Sequence, residues 1–509
     1  MLPPNSEHAA PPAPTGEALI LTIDVGTSSC RASLYDARGS ALRGSEVQLA
    51  CAARTTPDGG ADFDADALVG LVLTAIDGVA RWAGPRLSAV VGVAASTFWH
   101  SVLGVDSSGR ALTAVLLWMD ARSRDEVPIL EREHDERAAH ARTGCVFHWS
   151  YLPAKLRWLR QERPDVFARA ERWMSFGEYL FPRLFGEPAL SVSMASGTGL
   201  LDQHTCEWDP EMLAAAAIDA GKLSPIDAHP DGMTGLRREF ASRWPALAKV
   251  PWMAAIGDGA ASNLGAGCAT RERFALMVGT SGALRVLWRT DDVTIPWGVW
   301  CYRADRERVL LGGALNDGGS LVDWLRHSLQ LPGLPELEST VAGMAPDAHG
   351  LTVLPFWAGE RSPNWAEDAR GVVLGLRLHT TPAEIYRAAL EGIAIRFARL
   401  DSILREVVPE AREVVATGGA LRASPAWNQI MADALGRPVL SCLEEEASSR
   451  GAALLALDHL GRLEGGPLEA LGPSVGATYQ PAPEGVAALA RAAKRQQHLY
   501  DVLIRDRAY

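Results

Sequence analysis

The sequence predicts an α/β protein built as two domains on either side of a cleft, and three observations predict it. The stretches LTIDVGTSSCRASLYD and RFALMVGTSGALRVLW share one plan, an apolar strand, a Gly-Thr-Ser tip and a second strand, and they lie in different halves of the chain. Behind the first hairpin the order is strand, helix, strand, the grammar of an α/β domain. At 509 residues the chain exceeds one ordinary core, so two domains of roughly 200 to 250 residues are expected.

Along the chain, residues 1–17 read as a Pro/Ala-rich disordered leader with neither a basic n-region nor an apolar h-region. The first hairpin follows, with strands over 18–23 and 31–35 around Asp24, Gly26 and three hydroxyl residues. FDADALVGLVLTAIDGVARWA has apolar positions at helical spacing, and SAVVGVAAS reads as a buried strand. Helical periodicity with many Trp and Arg over about 125–208 marks an α-rich insertion. The first domain is therefore expected over 18–250. PWMAAIGDG restarts the strand pattern and opens a second domain over 251–490, with a helical tail over 491–509. Near its end, REVVATGGALRASPAWNQIMADALGRPVLSCLE reads as strand, glycine turn, helix and strand, with Ser424 as N-cap, Pro425 at N1 and Gly436 after the last turn.

Composition excludes several classes. A formal charge of −12, from 49 Lys plus Arg against 61 Asp plus Glu, argues against nucleic acid or an anionic membrane as the main partner. Seven scattered cysteines without a C-x-x-C read as reduced thiols, and no apolar run nears the length needed to cross a bilayer, so a cytoplasmic protein is expected. No G-x-x-x-x-G-K-S/T and no strand-linked G-x-G-x-x-G is present, so neither a P-loop nor a dinucleotide fingerprint holds a phosphate. The two Gly-Thr-Ser tips can do so instead, through hydroxyls and backbone N–H groups freed by glycine. One tip alone is an ordinary turn; two suggest a polyphosphate gripped from both sides. For Gly418 and Gly419 a tight strand-to-helix turn and nucleotide binding at the carboxyl end of a strand both stand.

IDVGTSSCR, WMDARS, IGDGAASNLGAG, MVGTSG, GGALNDGGSLVDWL, AGERSP and ATGGALRASPAWNQIMAD, in this order over almost the whole chain, resemble the FGGY family of carbohydrate kinases. The resemblance implies two domains of the actin, hexokinase and Hsp70 ATPase type (ribonuclease H-like) around a central cleft, ATP with Mg²⁺, and transfer of the γ-phosphate to a sugar hydroxyl. STFWHSVLGVD, RTG, SMASGTGLLD and GTSGALR look most like the gluconate kinase branch, which implies D-gluconate as substrate and 6-phosphogluconate as product. Xylulose kinases are the nearest alternative, with Met-His-Gly where this chain has His100, Ser101 and Val102; Trp99 replaces a Met expected in both branches.

By the resemblance, Asp258 is the catalytic base, where its plain reading is a helix N-cap, and it also touches the substrate. Asp24 holds Mg²⁺. Gly26, Thr27, Ser28 and Arg31 from one side, and Gly279, Thr280 and Ser281 from the other, meet the phosphates. Gly318, Gly319, Asp323, Gly418 and Gly419 fall on the nucleoside side. His100, Trp118, Asp120 and Arg122 face the sugar with Trp99 beside them, and Arg122 is the expected partner of a substrate carboxylate. The partner expected is a small-molecule sugar or sugar acid, with no nucleic acid and no membrane, and a homodimer is the expected assembly. A non-catalytic sugar sensor on the same fold is the rival reading, against which the intact Asp24, Asp258 and both tips argue.

Overall fold

The structure, a computed structural model, describes residues 16–506. Residues 1–15 of the expected leader lie outside the described residues. Glu17, within that leader, is anchored by an ion pair to Arg86, whose Nε lies 2.8 Å from Glu17 Oε2.

Strands β1 (Leu19–Val25) and β2 (Ser29–Tyr35) form the first hairpin, antiparallel with Asp24 opposite Arg31, and β3 (Val47–Ala50) extends it antiparallel on β2. Helix α1 (Ala65–Ala83) begins at the Asp64 cap, whose side chain accepts from Ala67 N at 2.8 Å, and stops at Gly84 with φ 51°. Its apolar stripe, including Leu68, Val72, Ile76 and Val79, is buried in the core of the first half. Contrary to the sequence expectation, α1 with the turn after it is long and apolar enough to cross a membrane by length and composition, but that stripe packs on protein.

Strand β4 (Val90–Thr97) lies parallel beside β1. Residues 125–208 hold several helices, α2 (Leu152–Glu162) among them, and short strands at Arg172–Met174, Leu201–Asp202 and Glu207–Trp208. They have a small core of their own around Leu130, Leu156, Leu159 and Trp173. Strand β5 (Ile256–Gly257) then pairs in parallel with Ser96 and Thr97 of β4. The strand expected to open the second domain therefore closes the first sheet, and the helix that follows it, α3 (Asp258–Gly265), belongs with that sheet rather than with a domain starting at 251.

The second sheet repeats the first. Strands β6 (Arg273–Val278) and β7 (Gly282–Arg289) form the second hairpin; β8 (Trp300–Arg303) and β9 (Arg308–Leu315) continue it antiparallel. After α4 (Gly319–Ser328) and α5 (Pro382–Val407), β10 (Glu413–Thr417) lies parallel to β6. Helices α6 (Gly419–Arg422) and α7 (Pro425–Leu435) lead to β11 (Val439–Cys442), parallel to β10; Ser424 caps α7 and Gly436 ends it in the left-handed region, as expected. Helix α8 (Ala447–His459) crosses back onto the first sheet, and β12 (Val475–Tyr479) edges the second. Helix α9 (Pro483–Tyr500) runs unbroken across position 491 and packs on α7, so the tail is no separate segment.

The strand orders are β5-β4-β1-β2-β3 and β8-β9-β7-β6-β10-β11-β12. In each, a central hairpin is extended antiparallel on one side, by β3 in the first sheet and by β9 and β8 in the second, and flanked on the other by two parallel strands, to which the second sheet adds the antiparallel edge β12. This duplicated plan is the two-domain actin and hexokinase architecture. Its consequence is positional: Asp24 lies at the carboxyl end of β1, and the first tip, Phe98 to His100, Asp258, the second tip and Gly418 follow the carboxyl ends of β1, β4, β5, β6 and β10.

Candidate active site

Both hairpin tips open onto one cavity of about 300 Å³ that also contains Asp258. Thr27 reaches it from the first tip and Ser281 from the second; Trp99, His100, Trp118, Tyr151, Trp300, Tyr302 and Trp365 wall it. Gly26 N donates to Ser29 O and Gly279 N to Ser281 O, both at 2.9 Å, so each tip is closed by its own first glycine, the second one residue tighter than the first.

Asp24 accepts a short hydrogen bond from Ser96 Oγ and lies 3.5 Å from Arg31 Nη1; burial raises its pKa, opposed by Ser96 and Arg31. Arg31, expected at a phosphate, is committed elsewhere. It is ion-paired with Glu446 and lies 3.6 Å from Glu46 as well as beside Asp24. Asp258 is the first residue of α3, not its cap; Gly257 takes the cap position without a side-chain bond. Asp258 Oδ1 accepts from Gly259 N at 2.8 Å. Burial pushes its carboxyl up to about 6, with Arg285 opposing the shift and the charge of Asp24 adding to it.

The glycines of the second half divide into two kinds. Gly319 N donates to Gly279 O at 2.8 Å and Ser320 N to Thr280 O at 3.0 Å, so the start of α4 is docked on the tip itself. A Cβ at Gly318 would sit 2.9 Å from the Ser281 carbonyl carbon, and one at Gly418 (φ 92°) would overlap Val278 O. These glycines let backbones touch. Gly419 meets nothing within 4 Å of its Cβ direction and is exposed. If that space is for nucleotide, Gly419→Val should leave the melting temperature unchanged and raise KM for ATP about tenfold or more, equivalent to about 1.4 kcal/mol; an unchanged KM would remove Gly419 from the site. Asp323, expected on the same side, is 68% exposed on α4, with Arg326 Nη1 at 3.8 Å from its carboxylate.

On the opposite wall, Trp99 is 5% exposed, and its Nε1 donates to Ser193 O at 2.8 Å. Its ring lies against three residues without side chains, Gly197, Gly257 and Gly259, where a Cβ would collide with it. The indole that replaces the expected Met is thus accommodated by packing. His100 stands at φ 61° with Nδ1 2.5 Å from Gly197 O, and burial lowers its pKa to about 3. A carbonyl only accepts, so Nδ1 carries the proton of the neutral ring and Nε2 is left as an acceptor for a hydroxyl. The Tyr151 and Tyr302 hydroxyls are hydrogen-bonded to each other at 2.7 Å.

Asp120 and Arg122 do not join this wall. Arg122 is paired with Asp120 and, at 3.2 Å, with Asp62; Asp120 also accepts from Ala61 N at 3.0 Å. Arg122 borders a different cavity, beside Arg54 and Trp158. The turn that follows Trp118 points its charged residues inward onto each other, so the expected carboxylate partner is already neutralised.

Residues that the sequence reading missed are Tyr151, Tyr302, Arg285, Arg361 and Lys155. Arg285 was findable, since Ser281, Ala283 and Arg285 alternate along the strand that carries the tip. Lys155, on α2, is fully buried, and its Nζ donates to His100 O at 2.8 Å, Leu117 O at 2.6 Å and Ser150 O at 2.9 Å. Burial pushes its pKa down to about 7, while three carbonyls match the three donors of the ammonium. One side chain thus ties together the segments that carry His100, Trp118 and Tyr151. Lys155→Met should leave three carbonyls bare, lower stability by about 3 kcal/mol or more, and raise KM for the sugar more than KM for ATP. Thermal melts and two substrate titrations check both parts.

The profile of the FGGY family of carbohydrate kinases, N-terminal domain, matches residues 19–265, and that of the C-terminal domain matches residues 274–458. A gluconokinase of Bacillus licheniformis is 28% identical over 479 residues, 91% of this chain and 92% of its own. Among solved structures, a ligand-bound xylulose kinase from Lactobacillus acidophilus superposes with a TM-score of 0.87 at 28% identity, covering 96% of this chain and 98% of its own. A gluconate kinase from the same organism gives a TM-score of 0.85 at 27% identity, covering 96% and 99%.

Proposed function

The chain belongs to the FGGY family of carbohydrate kinases, and from that premise we propose that it transfers the γ-phosphate of ATP to D-gluconate, giving 6-phosphogluconate. It is a sugar phosphotransferase by family. The observation that carries the reaction is the meeting of Thr27, Ser281 and Asp258 in one cavity, hydroxyl donors from both halves beside a carboxylate whose pKa is about 6. The gluconokinase relative and the His100-Ser101-Val102 triplet support gluconate over a ketose.

Phosphoryl transfer asks a protein to position two partners and to neutralise spreading charge. Here Asp258 accepts the proton of the attacking hydroxyl, and its raised pKa places it close to neutrality, where a base is effective. Tip N–H and hydroxyl groups hold phosphate oxygens from both sides. Polar edges at His100 Nε2 and the Tyr151–Tyr302 pair hydrogen-bond the polyol, and indole faces cover its C–H face. A divalent cation fits beside Asp24: the charge of this carboxylate raises the pKa of Asp258, a repulsion that a cation would relieve, and Mg²⁺ needs only one or two carboxylates besides phosphate and water. When bound, Mg²⁺ would neutralise phosphate charge.

Coupled ADP release with gluconate, xylulose, ribulose and glycerol tests the reading. The highest kcat/KM is expected for gluconate. A ketose ahead of gluconate would move the enzyme to the xylulose kinase branch, and no sugar-dependent ADP release would remove the kinase reading altogether.

A further inference from the structure

Six arginines are buried in this protein among the described residues, and five of them are held by carboxylates or, for Arg303, by carbonyl oxygens. Arg285 is the exception. It is 8% exposed, its Nη1 is buried without a partner, and it makes no hydrogen bond or ion pair among the described residues. Guanidinium groups do not deprotonate in proteins, so Arg285 brings a fixed positive charge whose donors are all unused. An unpaired buried charge is unfavourable unless an anion arrives to meet it.

Where the guanidinium lies decides which anion that is. Arg285 springs from β7, the strand that leaves the second tip, and it lines the cavity. Its charge stands well away from its Cα and reaches the first half of the molecule: a Cβ at Gly259 would lie 3.6 Å from both the guanidinium carbon and Nε. Gly259 is the residue whose N–H binds Asp258 Oδ1. Burial lowers the pKa of Arg285, and the charge of Asp258 is the first to oppose that shift; Arg285 is likewise the first to oppose the rise at Asp258. The cation thus stands beside the carboxylate that takes the proton of the attacking hydroxyl without being ion-paired to it. The anion that must come within reach of that hydroxyl is the phosphoryl group.

The other cations around the cavity have partners. Arg31, on the first hairpin, is ion-paired with Glu446 and lies beside Asp24 and Glu46. Lys155 Nζ gives its three donors to carbonyls. Arg361 donates to Leu315 O, opposite Gly282 in the sheet, and stands over the Trp118 ring. Resting on the kinase reading above, we propose that Arg285 is a catalytic residue, whose N–H groups hold a non-bridging oxygen of the γ-phosphoryl group while it passes to the hydroxyl beside Asp258. In that step Asp258 takes the hydroxyl proton, the oxygen forms its bond to the γ-phosphorus, and the bond from phosphorus to the β–γ bridging oxygen breaks with its electron pair left on ADP. Arg285 gives up no proton. It meets the charge that spreads over the phosphoryl oxygens, a task to which the planar fork of a guanidinium is suited.

The test uses Arg285→Met and Arg285→Lys in the full chain, with ATP, Mg²⁺ and whichever polyol gives the wild type its highest kcat/KM, so that it does not depend on that polyol being gluconate. Arg285→Met should lower kcat about 10²- to 10³-fold, the effect of losing one preorganised donor. KM for ATP and for the sugar should stay close to wild type, because the contact is made in the transition state. A second readout needs no turnover. With the sugar present, ADP plus aluminium fluoride, a mimic of the transferring phosphoryl group, should bind the Met variant more weakly by about the same factor, while ADP alone binds as to the wild type. Lys, which keeps the charge without the fork, should restore part of both. A rise confined to KM for the sugar would give Arg285 to the sugar and overturn the proposal. So would an acid limb of kcat/KM moved to higher pH with its plateau intact, the mark of a cation that acts only by lowering the pKa of Asp258. A wild type that releases no ADP with any polyol overturns the kinase reading and this inference together; a wild-type kinase whose Met variant turns over normally overturns the inference alone.

Discussion

Asp258→Asn is expected to lower kcat by about 10²- to 10⁴-fold, the range for losing a general base, while the protein stays folded. The sequence offers Asp258 two roles, a base by the resemblance and a helix cap by its plain reading. The structure sharpens the choice, because Gly257 caps the helix and Asp258 has no cap to lose. An Asn Oδ1 can still accept from Gly259 N. Stability moves in a definite direction too. The folded pKa of Asp258, about 6, lies above the ordinary value of 3.8, so its contribution is fully present below that ordinary value and is lost as pH rises through 6. Above pH 7 the Asn variant, free of this loss, should be at least as stable as wild type. The same shift predicts an acid limb in kcat/KM, rising with pH to a plateau above about 6, because the base must be deprotonated to accept the proton. Near wild-type turnover in the Asn variant, with that limb intact, would sink Asp258 as the base.

What the sequence made legible follows from how local the signal is. The Gly-Thr-Ser tips, the Asp64 cap, the stripe of α1 and the Ser424 to Gly436 helix are each decided by residues within a few positions of one another, so pattern and capping chemistry suffice. Strand β5 was misassigned because two residues carry no periodicity; its partner, Ser96 and Thr97, lies far upstream. Arg122 was misplaced for a related reason. WMDARS puts it next to Trp118 in sequence, but the carboxylates of Asp120 and Asp62 capture it, and Asp62 comes from a strand 60 residues earlier. Lys155 looks like an ordinary solvated residue of an amphipathic helix until three loops converge on it. Tyr302 meets Tyr151 across 151 residues, a contact to which no spacing rule applies. The placement of the tips and Asp258 around one cavity was thus readable, and the arrangement was unreadable where charge is distributed among distant segments.

That convergence depends on one helix crossing, which carries the other large expected effect. Helices α3 and α8 meet with their backbones in contact. A Cβ on Gly265 would overlap Ala447 O, one on Gly451 would overlap Ala261 O, and Ala261 and Ala447 are themselves small. Arg450 donates to Gly265 O, and Ser448 Oγ lies 3.4 Å from Asp258 O, so the helix from the second half is fastened along the one that begins with Asp258. Neither glycine has a positive φ, so the penalty of a methyl group here is steric. Side-chain rotation cannot relieve it, because the obstacle is backbone. Gly451→Ala should therefore lower stability by about 3 kcal/mol, at the upper end of what overpacking does, and should lower kcat as well by pushing Asp258 out of line with the tips. Gly70→Ala provides the contrast: it sits on the exposed face of α1 with nothing within 4 Å, and there the same methyl group should stabilise by about 0.5 to 1 kcal/mol through helix propensity. Urea unfolding of both variants with the turnover of each decides the matter. If Gly451→Ala melts and turns over like wild type, the crossing yields more readily than its geometry implies, and the alignment of Asp258 does not depend on it.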